Sequence, residues 1–159
     1  MILSSKNVEN VPNKMELKPI CLQEDKSAEI YVSEDCQQLL NIYKDFYPKI
    51  GFQLPWIGYF IFSQKQIVGS CGFTGQPKDE RVELAYWTFK KFEGKGVASF
   101  ACKELISIAH KAAPHITIIA KTAPEHSAST KILQNNDFLF TEIVQDDEIG
   151  DAWLWVHKK

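Results

Sequence analysis

The sequence predicts an α+β fold built on a mainly antiparallel sheet. Two observations carry this. Apolar, β-rich segments pair as hairpins towards both ends of the chain, and the stretches between them alternate strand-like with helix-like spacing. The 159 residues are 45% apolar and 24% charged. That mix is globular, and the length suffices to bury a core without help from disulfides or metal.

Taken in order, residues 1–14 (MILSSKNVENVPNK) are polar and turn-rich, and a flexible N-terminal arm is expected, with residues 15–159 as one domain. MELKPI (15–20) alternates as a first strand. Leu39, Leu40, Tyr43, Phe46 and Tyr47 recur at helical spacing over residues 34–47, with Pro48 and Gly51 expected to end that helix. WIGYFIFS (56–63) and QIVGSCGFTG (66–75) form a hairpin about Gln64-Lys65, and residues 81–89 make the next strand. Gly96 to Ala113 reads as a helix striped by Val97, Ala101, Leu105 and Ile108, and stopped by Pro114. HITIIAKT (115–122) is a strand, residues 127–136 a helix, and FLFTEIVQ and AWLWVHK a final hairpin across 146–150.

A net charge of −2 argues against nucleic acid as a partner, because general binding to it needs many cations against phosphates. Cys21, Cys36, Cys71 and Cys102, like His110, His115, His126 and His157, lack metal-ligand spacing, so no metal is expected. Reduced thiols fit a cytoplasmic protein. No apolar run is long enough to cross a bilayer and no leader is apparent, so no membrane partner is expected.

The most informative stretch is ELAYWTFKKFEGKGVAS, residues 83–99. An apolar strand runs through a basic turn into Gly94 and Gly96, and a helix starts at once. Glycine lets a ligand approach the main chain, and the first helical turn offers unpaired N–H groups at the positive end of a dipole. Such a junction suits a phosphate or pyrophosphate. It is not a P-loop, which needs GxxxxGK[ST], and Ser99 stands where a dinucleotide fingerprint needs its third glycine.

Glu93-Gly94-Lys95-Gly96-Val97-Ala98 resembles the acyl-CoA signature of the GCN5-related N-acetyltransferases (GNAT), Gln/Arg-x-x-Gly-x-Gly/Ala, with Glu93 at the first position. ELAYW and GKGVA are closest in wording to the branch that acetylates ribosomal-protein N-termini. A second block, HSASTKILQNNDF (126–138), is similar to the family's Asn-x-x-Ser-x-x-x-Leu-x-x-x-Gly-Phe. Ser129, Leu133 and Phe138 match, His126 stands for Asn and Asp137 for Gly. The resemblance covers roughly residues 56–157. It implies the order β–α–β–β–β–α–β–α–β–β, helices on both sheet faces, and acetyl-CoA as cofactor with CoA as product. Gly94, Lys95, Gly96, Val97, Ala98 and Ser99 would cradle the pyrophosphate. His126 and Ser129 would meet the pantetheine arm.

Transfer of an acetyl group from a thioester to an amine requires a donor for the developing oxyanion and a base for the ammonium. The resemblance places the donor among the main-chain N–H groups of Tyr86, Trp87 and Thr88. Glu83 is the candidate base. A water relayed by backbone groups is the alternative. Ser129 is the candidate acid on the thiol side, since Leu133 stands where many relatives carry a Tyr.

The expected acceptor is a primary amine on a small molecule or a protein N-terminus. Trp56, Tyr59, Tyr86, Trp87, Trp153 and Trp155 make the pocket region aromatic, though aromatic residues also dominate cores. The acidic turn of Glu142, Asp146, Asp147, Glu148 and Asp151 either attracts a cationic amine or is a solvated hairpin tip. A homodimer is left open as its assembly. Three alternatives to the enzyme remain at this stage: a non-catalytic acyl-CoA-binding module, a dinucleotide-binding α/β domain, and a partner-binding protein whose glycines only pack.

Overall fold

The computed structural model describes residues 14–158. The expected arm therefore lies outside the described residues, except for Lys14. The elements are β1 (Met15–Pro19), α1 (Glu34–Ile50), β2 (Gly58–Ser63), β3 (Gln66–Phe73), β4 (Arg81–Thr88), α2 (Val97–Ala112), β5 (Thr117–Thr122), α3 (Ala128–Asn135), β6 (Phe138–Asp146) and β7 (Gly150–His157). Short 3-10 turns lie at Glu29–Tyr31 and Lys90–Phe92. This is the β–α–β–β–β–α–β–α–β–β order that the resemblance implies.

The strands form one seven-stranded sheet, ordered β1-β2-β3-β4-β5-β7-β6. Every neighbouring pair is antiparallel except β4 with β5. A dinucleotide-binding domain needs a parallel sheet flanked by crossovers, so that alternative is removed. The parallel pair is joined by α2, the crossover that parallel strands require.

Local chemistry explains most element ends. Ser33 accepts a hydrogen bond from the Cys36 N–H and caps α1. Gly51, at φ 82°, ends α1. Pro48 does not end it, contrary to expectation, and sits inside its last turn. Its fixed φ suits a helix, but it forfeits its N–H bond to the carbonyl four residues back and its ring crowds that carbonyl. Gln64 and Lys65 both have positive φ, the backbone of a tight two-residue hairpin turn. Ser127 and Thr130 form a reciprocal capping box at the start of α3.

The core is one cluster running through the sheet. Ile57, Phe60, Ile61, Phe73, Leu84, Phe89, Leu105, Ile118, Phe138 and Trp155 are all 2% exposed or less. On one face, α1 lies so close to the sheet that a Cβ at Gly58 would run into the Tyr43 ring. On the other, α2 packs on β3 and β4, and α3 packs beside α2.

Candidate functional site

The parallel pairing of β4 with β5 covers only Arg81 with Thr117, Val82 with Ile118 and Glu83 with Ile119. Beyond Glu83, β4 continues beside β3 to Thr88, while β5 turns to pair with β7 over Ile119–Thr122. The two strands therefore splay apart, and the edge of β4 facing β5 is open from Leu84 onwards.

Hydrogen-bond parity shows which amides face that opening. The Glu83 carbonyl accepts from Thr74 N–H and the Phe89 N–H donates to Val68, both on the β3 side. The Glu80 carbonyl accepts from Thr117 N–H, on the β5 side. Since the direction alternates along a strand, Leu84, Tyr86 and Thr88 turn their main-chain groups into the splay, and Trp87 turns its own towards β3. Of the three residues considered for the oxyanion, Tyr86 and Thr88 thus present N–H groups to the gap. Trp87 lines the site through other atoms.

At the mouth of the splay, Gly94 and Gly96 adopt φ of 75° and 78°, and a Cβ built on either meets nothing within 4 Å. The glycines are required by the backbone turn and leave open space above it. Gly96 is the N-cap of α2, and no side chain caps that helix. The first-turn N–H groups of Val97, Ala98 and Ser99 are left for an anionic ligand. A cavity of about 500 Å³ lies over this turn, lined by Tyr86, Trp87, Thr88, Glu93, Gly94, Gly96, Val97, Ala98 and Ser99 on one side and by residues of α3 on the other. That volume is in the range of small-molecule and cofactor sites. The open glycine turn and the uncapped helix start fit a pyrophosphate.

The α3 wall consists of Ala128, Ser129, Lys131, Ile132 and Asn135. Lys131 and Asn135 were not singled out from the sequence. Their signal is the i, i+3, i+4, i+7 spacing of Ala128, Lys131, Ile132 and Asn135, which puts them along one side of α3. Ser129 is not consumed by the helix cap, which Ser127 and Thr130 form. Lys95 and His126 do not line the cavity. The Lys95 and Lys91 ammonium groups flank the Phe92 ring, 5.8 and 5.6 Å from its centroid, and Phe92 is part of the rim. His126 instead packs edge-on against Trp153, with ring centroids 5.2 Å apart.

The Tyr86 hydroxyl donates to the Ser129 carbonyl across 3.1 Å, tying β4 to α3 over the splay. Burial pushes the phenol well above its ordinary range. Beneath that tie lies a gap of about 140 Å³ lined by Leu84, Ala85, Tyr86, Ala120, Lys121, Thr122, Ser129 and Leu133. Tyr86 and Ser129 line both spaces, so the small gap adjoins the large cavity.

Glu83 stands at the closed end of the splay, on the opposite sheet face from Tyr86 because side chains alternate along β4. Its carboxylate is 3.5 Å from the Lys121 ammonium, which is also 3.5 Å from Asp146 on the last hairpin. Burial pushes the Glu83 carboxyl upward. Lys121 opposes this, and Asp146 and Glu148 add to it. Asp146 is held below the carboxylate range chiefly by the Glu148 N–H, which donates to it. The acidic hairpin is therefore tied into this corner through Asp146.

Of the aromatic residues expected near the pocket, Trp56, Tyr59 and Trp155 are buried in the core. Tyr86 and Trp87 line the cavity. The described residues hold no group of three or more His, Cys, Asp or Glu able to bind a metal. None of the described helices is long and apolar enough to cross a membrane.

The family described as an acetyltransferase (GNAT) domain matches residues 16–139. The chain belongs to the GNAT acetyltransferase family. No curated protein matches it in sequence. Among solved structures, it is similar to a second apo crystal form of RimL, the ribosomal L7/L12 α-N-protein acetyltransferase, with a TM-score of 0.68 and 16% identity over 92% of this chain and 94% of that one. RimL in complex with coenzyme A gives a TM-score of 0.60 and 17% identity, over 78% and 71% of the two chains. The microcin C7 self-immunity acetyltransferase MccE, in complex with acetyl-CoA and AMP, gives 0.63 and 17%, over 77% and 71%. At these identities the likeness to RimL and MccE is one of GNAT fold. It agrees with the mixed, mainly antiparallel sheet found here.

Proposed function

We propose that this GNAT protein transfers the acetyl group of acetyl-CoA to a primary amine of a small molecule or a protein N-terminus, by direct attack of the amine on the thioester. The observation that carries this reading is the splay itself. A glycine turn with an uncapped helix N-terminus lies at its mouth, free amides of Tyr86 and Thr88 line its edge, and a half-buried carboxylate, Glu83, closes it. RimL and MccE, solved with coenzyme A and acetyl-CoA, support the choice of cofactor.

Gly94, Gly96 and the N–H groups of Val97, Ala98 and Ser99 hold the pyrophosphate, with Lys131 and the lysines beside Phe92 supplying positive charge. Bound there, acetyl-CoA supplies an activated acyl group on a thiol leaving group. The Tyr86 and Thr88 amides are aimed where negative charge develops on the carbonyl oxygen. Glu83 takes the proton from the incoming ammonium, and Ser129 serves the sulfur end as a hydrogen-bond donor. Residues 15–159 act as one catalytic unit, and the free thiols of Cys21, Cys36, Cys71 and Cys102 are in keeping with a reducing, cytoplasmic setting.

The test is thiol release from acetyl-CoA with a panel of amines, among them diamines, amino-acid amides and peptides with free N-termini. Turnover with at least one amine is expected. Glu93 on the cavity wall and the buried aliphatic Leu133 favour a second reading, a CoA-binding protein without catalysis. CoA binding without turnover on any amine would establish that reading instead.

A further inference from the structure

We propose that Lys121 is an acetylation site of this chain itself, modified in cis by its own bound acetyl-CoA. The inference rests on the function proposed above and adds a modification site to it.

Three observations place Lys121 where an acceptor belongs. It is one of the residues that line the small gap beside the cofactor cavity, together with Leu84, Ala85 and Tyr86. A pantetheine arm entering past Gly96 and following the free edge of β4 would bring its acyl end towards that gap. The register supplies the second observation. Glu83 pairs in parallel with Ile119, and Lys121 is two residues further on, so it shares the sheet face of Glu83. Third, the Nζ atom is 3.5 Å from the Glu83 carboxylate, and the side chain is 27% exposed rather than sealed in the core. The candidate base thus already holds an amine within reach of a proton transfer.

The chemistry balances without a further reagent. Glu83 takes one proton from the Lys121 ammonium and passes it to solvent. The Nζ lone pair forms a bond to the thioester carbonyl carbon, the carbon–sulfur bond breaks, and the thiolate leaves with the second nitrogen proton as CoA thiol. The product is a neutral amide between Glu83 and Asp146, so the modified chain loses the cation that separates the two carboxylates.

Peptide mass spectrometry after incubating the full chain with acetyl-CoA and no acceptor tests this. Lys121 should gain one acetyl group, at a first-order rate that does not depend on protein concentration. Lys103 and Lys111, on α2, serve as internal references for non-enzymatic acetylation. Glu83→Gln should slow the modification by about 10²-fold or more, as loss of a general base does, while the thermal shift given by CoA is kept. A second readout needs no catalysis. CoA at about ten times its Kd should slow labelling of Lys121 by acetic anhydride about tenfold by occupancy alone, leaving Lys103 and Lys111 unchanged. Equal labelling of Lys121 with and without CoA would overturn the proposal. So would an unmodified Lys121, or one acetylated no faster than the α2 lysines, in protein that acetylates an added amine. Absence of any CoA thermal shift would overturn the cofactor reading, and this proposal with it.

Discussion

Glu83 is held between opposing influences. Burial favours its neutral form, Lys121 favours the carboxylate, and Asp146 and Glu148 work against it. A base must be ionised to act, so kcat/KM should rise with pH as Glu83 loses its proton. The acid limb should lie above that of an ordinary glutamate. Glu83→Gln should lower kcat by ~10²–10⁴-fold with CoA affinity kept. A loss below about threefold is under ~1 kcal/mol of barrier and would hand the role to a water relay. Lys121→Met removes the cation that stabilises the carboxylate, so the acid limb should move to higher pH, and Lys121→Arg should restore it. Partly exposed ion pairs of this kind are worth about 0–1 kcal/mol each, so little change in melting temperature should accompany the shift. An unmoved pH profile would show that Lys121 does not tune Glu83. On the other wall, Ser129→Ala should raise the acetyl-CoA KM by ~2–10-fold, the range of one lost hydrogen bond. A fall in kcat at unchanged KM would instead place the hydroxyl on the leaving thiolate.

Element ends show how far local chemistry can be read. Strands and helices were legible wherever apolar spacing was clean, and the helix starts at Ser33 and Ser127 follow from short polar side chains ahead of periodic runs. Pro48 misled because tertiary packing outweighs its cost: Tyr47 beside it is buried and donates to the Ile20 carbonyl, and Gly51, free to adopt positive φ, was the real stop. The glycine turn was legible because two glycines and a helix start are a local motif. The splay was not. It depends on where β5 abandons β4 for β7, a non-local choice that no single segment encodes. For the same reason Lys121 and the Tyr86–Ser129 hydrogen bond were missed, and the tilt of His126 towards Trp153 was not foreseen. Asp137 offers a test at this scale. It follows α3 at φ 66°, where a side chain strains the backbone and a negative charge opposes the helix C-terminus. Asp137→Gly should raise stability by up to about 1 kcal/mol in chemical denaturation, even after the added chain entropy of glycine. A loss of stability would mean that the carboxylate makes a compensating contact.

At the scale of the whole molecule, the site exists because one pair of strands in an otherwise antiparallel sheet is parallel. Antiparallel neighbours can zip along their whole length from a short turn. A parallel pair must be joined by a crossover, and here that crossover is α2, whose N-terminus is thereby delivered to the end of β4 where the strands part. The anion-binding turn and the open strand edge are thus two consequences of one connection. A ligand spanning both should be chosen by its length and chemistry together, with a pyrophosphate at one end and an extended, amide-bearing arm at the other. CoA and acetyl-CoA have both parts. ATP and NAD have the phosphates without the arm. At about 100 times Kd, a ligand bound only to the folded state adds ~2.7 kcal/mol, which for a domain of this size is a rise of ~5–10 °C in melting temperature. CoA and acetyl-CoA should give such a shift, with ATP and NAD well below it at equal concentration. Gly96→Asp should remove the shift, because it places a carboxylate at the cradle and forces a side chain into a left-handed backbone. The apo variant should still melt cooperatively, since a Cβ there touches nothing in the protein. Equal shifts from all four nucleotides would point to a generic phosphate site at the helix N-terminus. An undiminished CoA shift in a folded Gly96→Asp protein would remove the pyrophosphate from the glycine turn altogether.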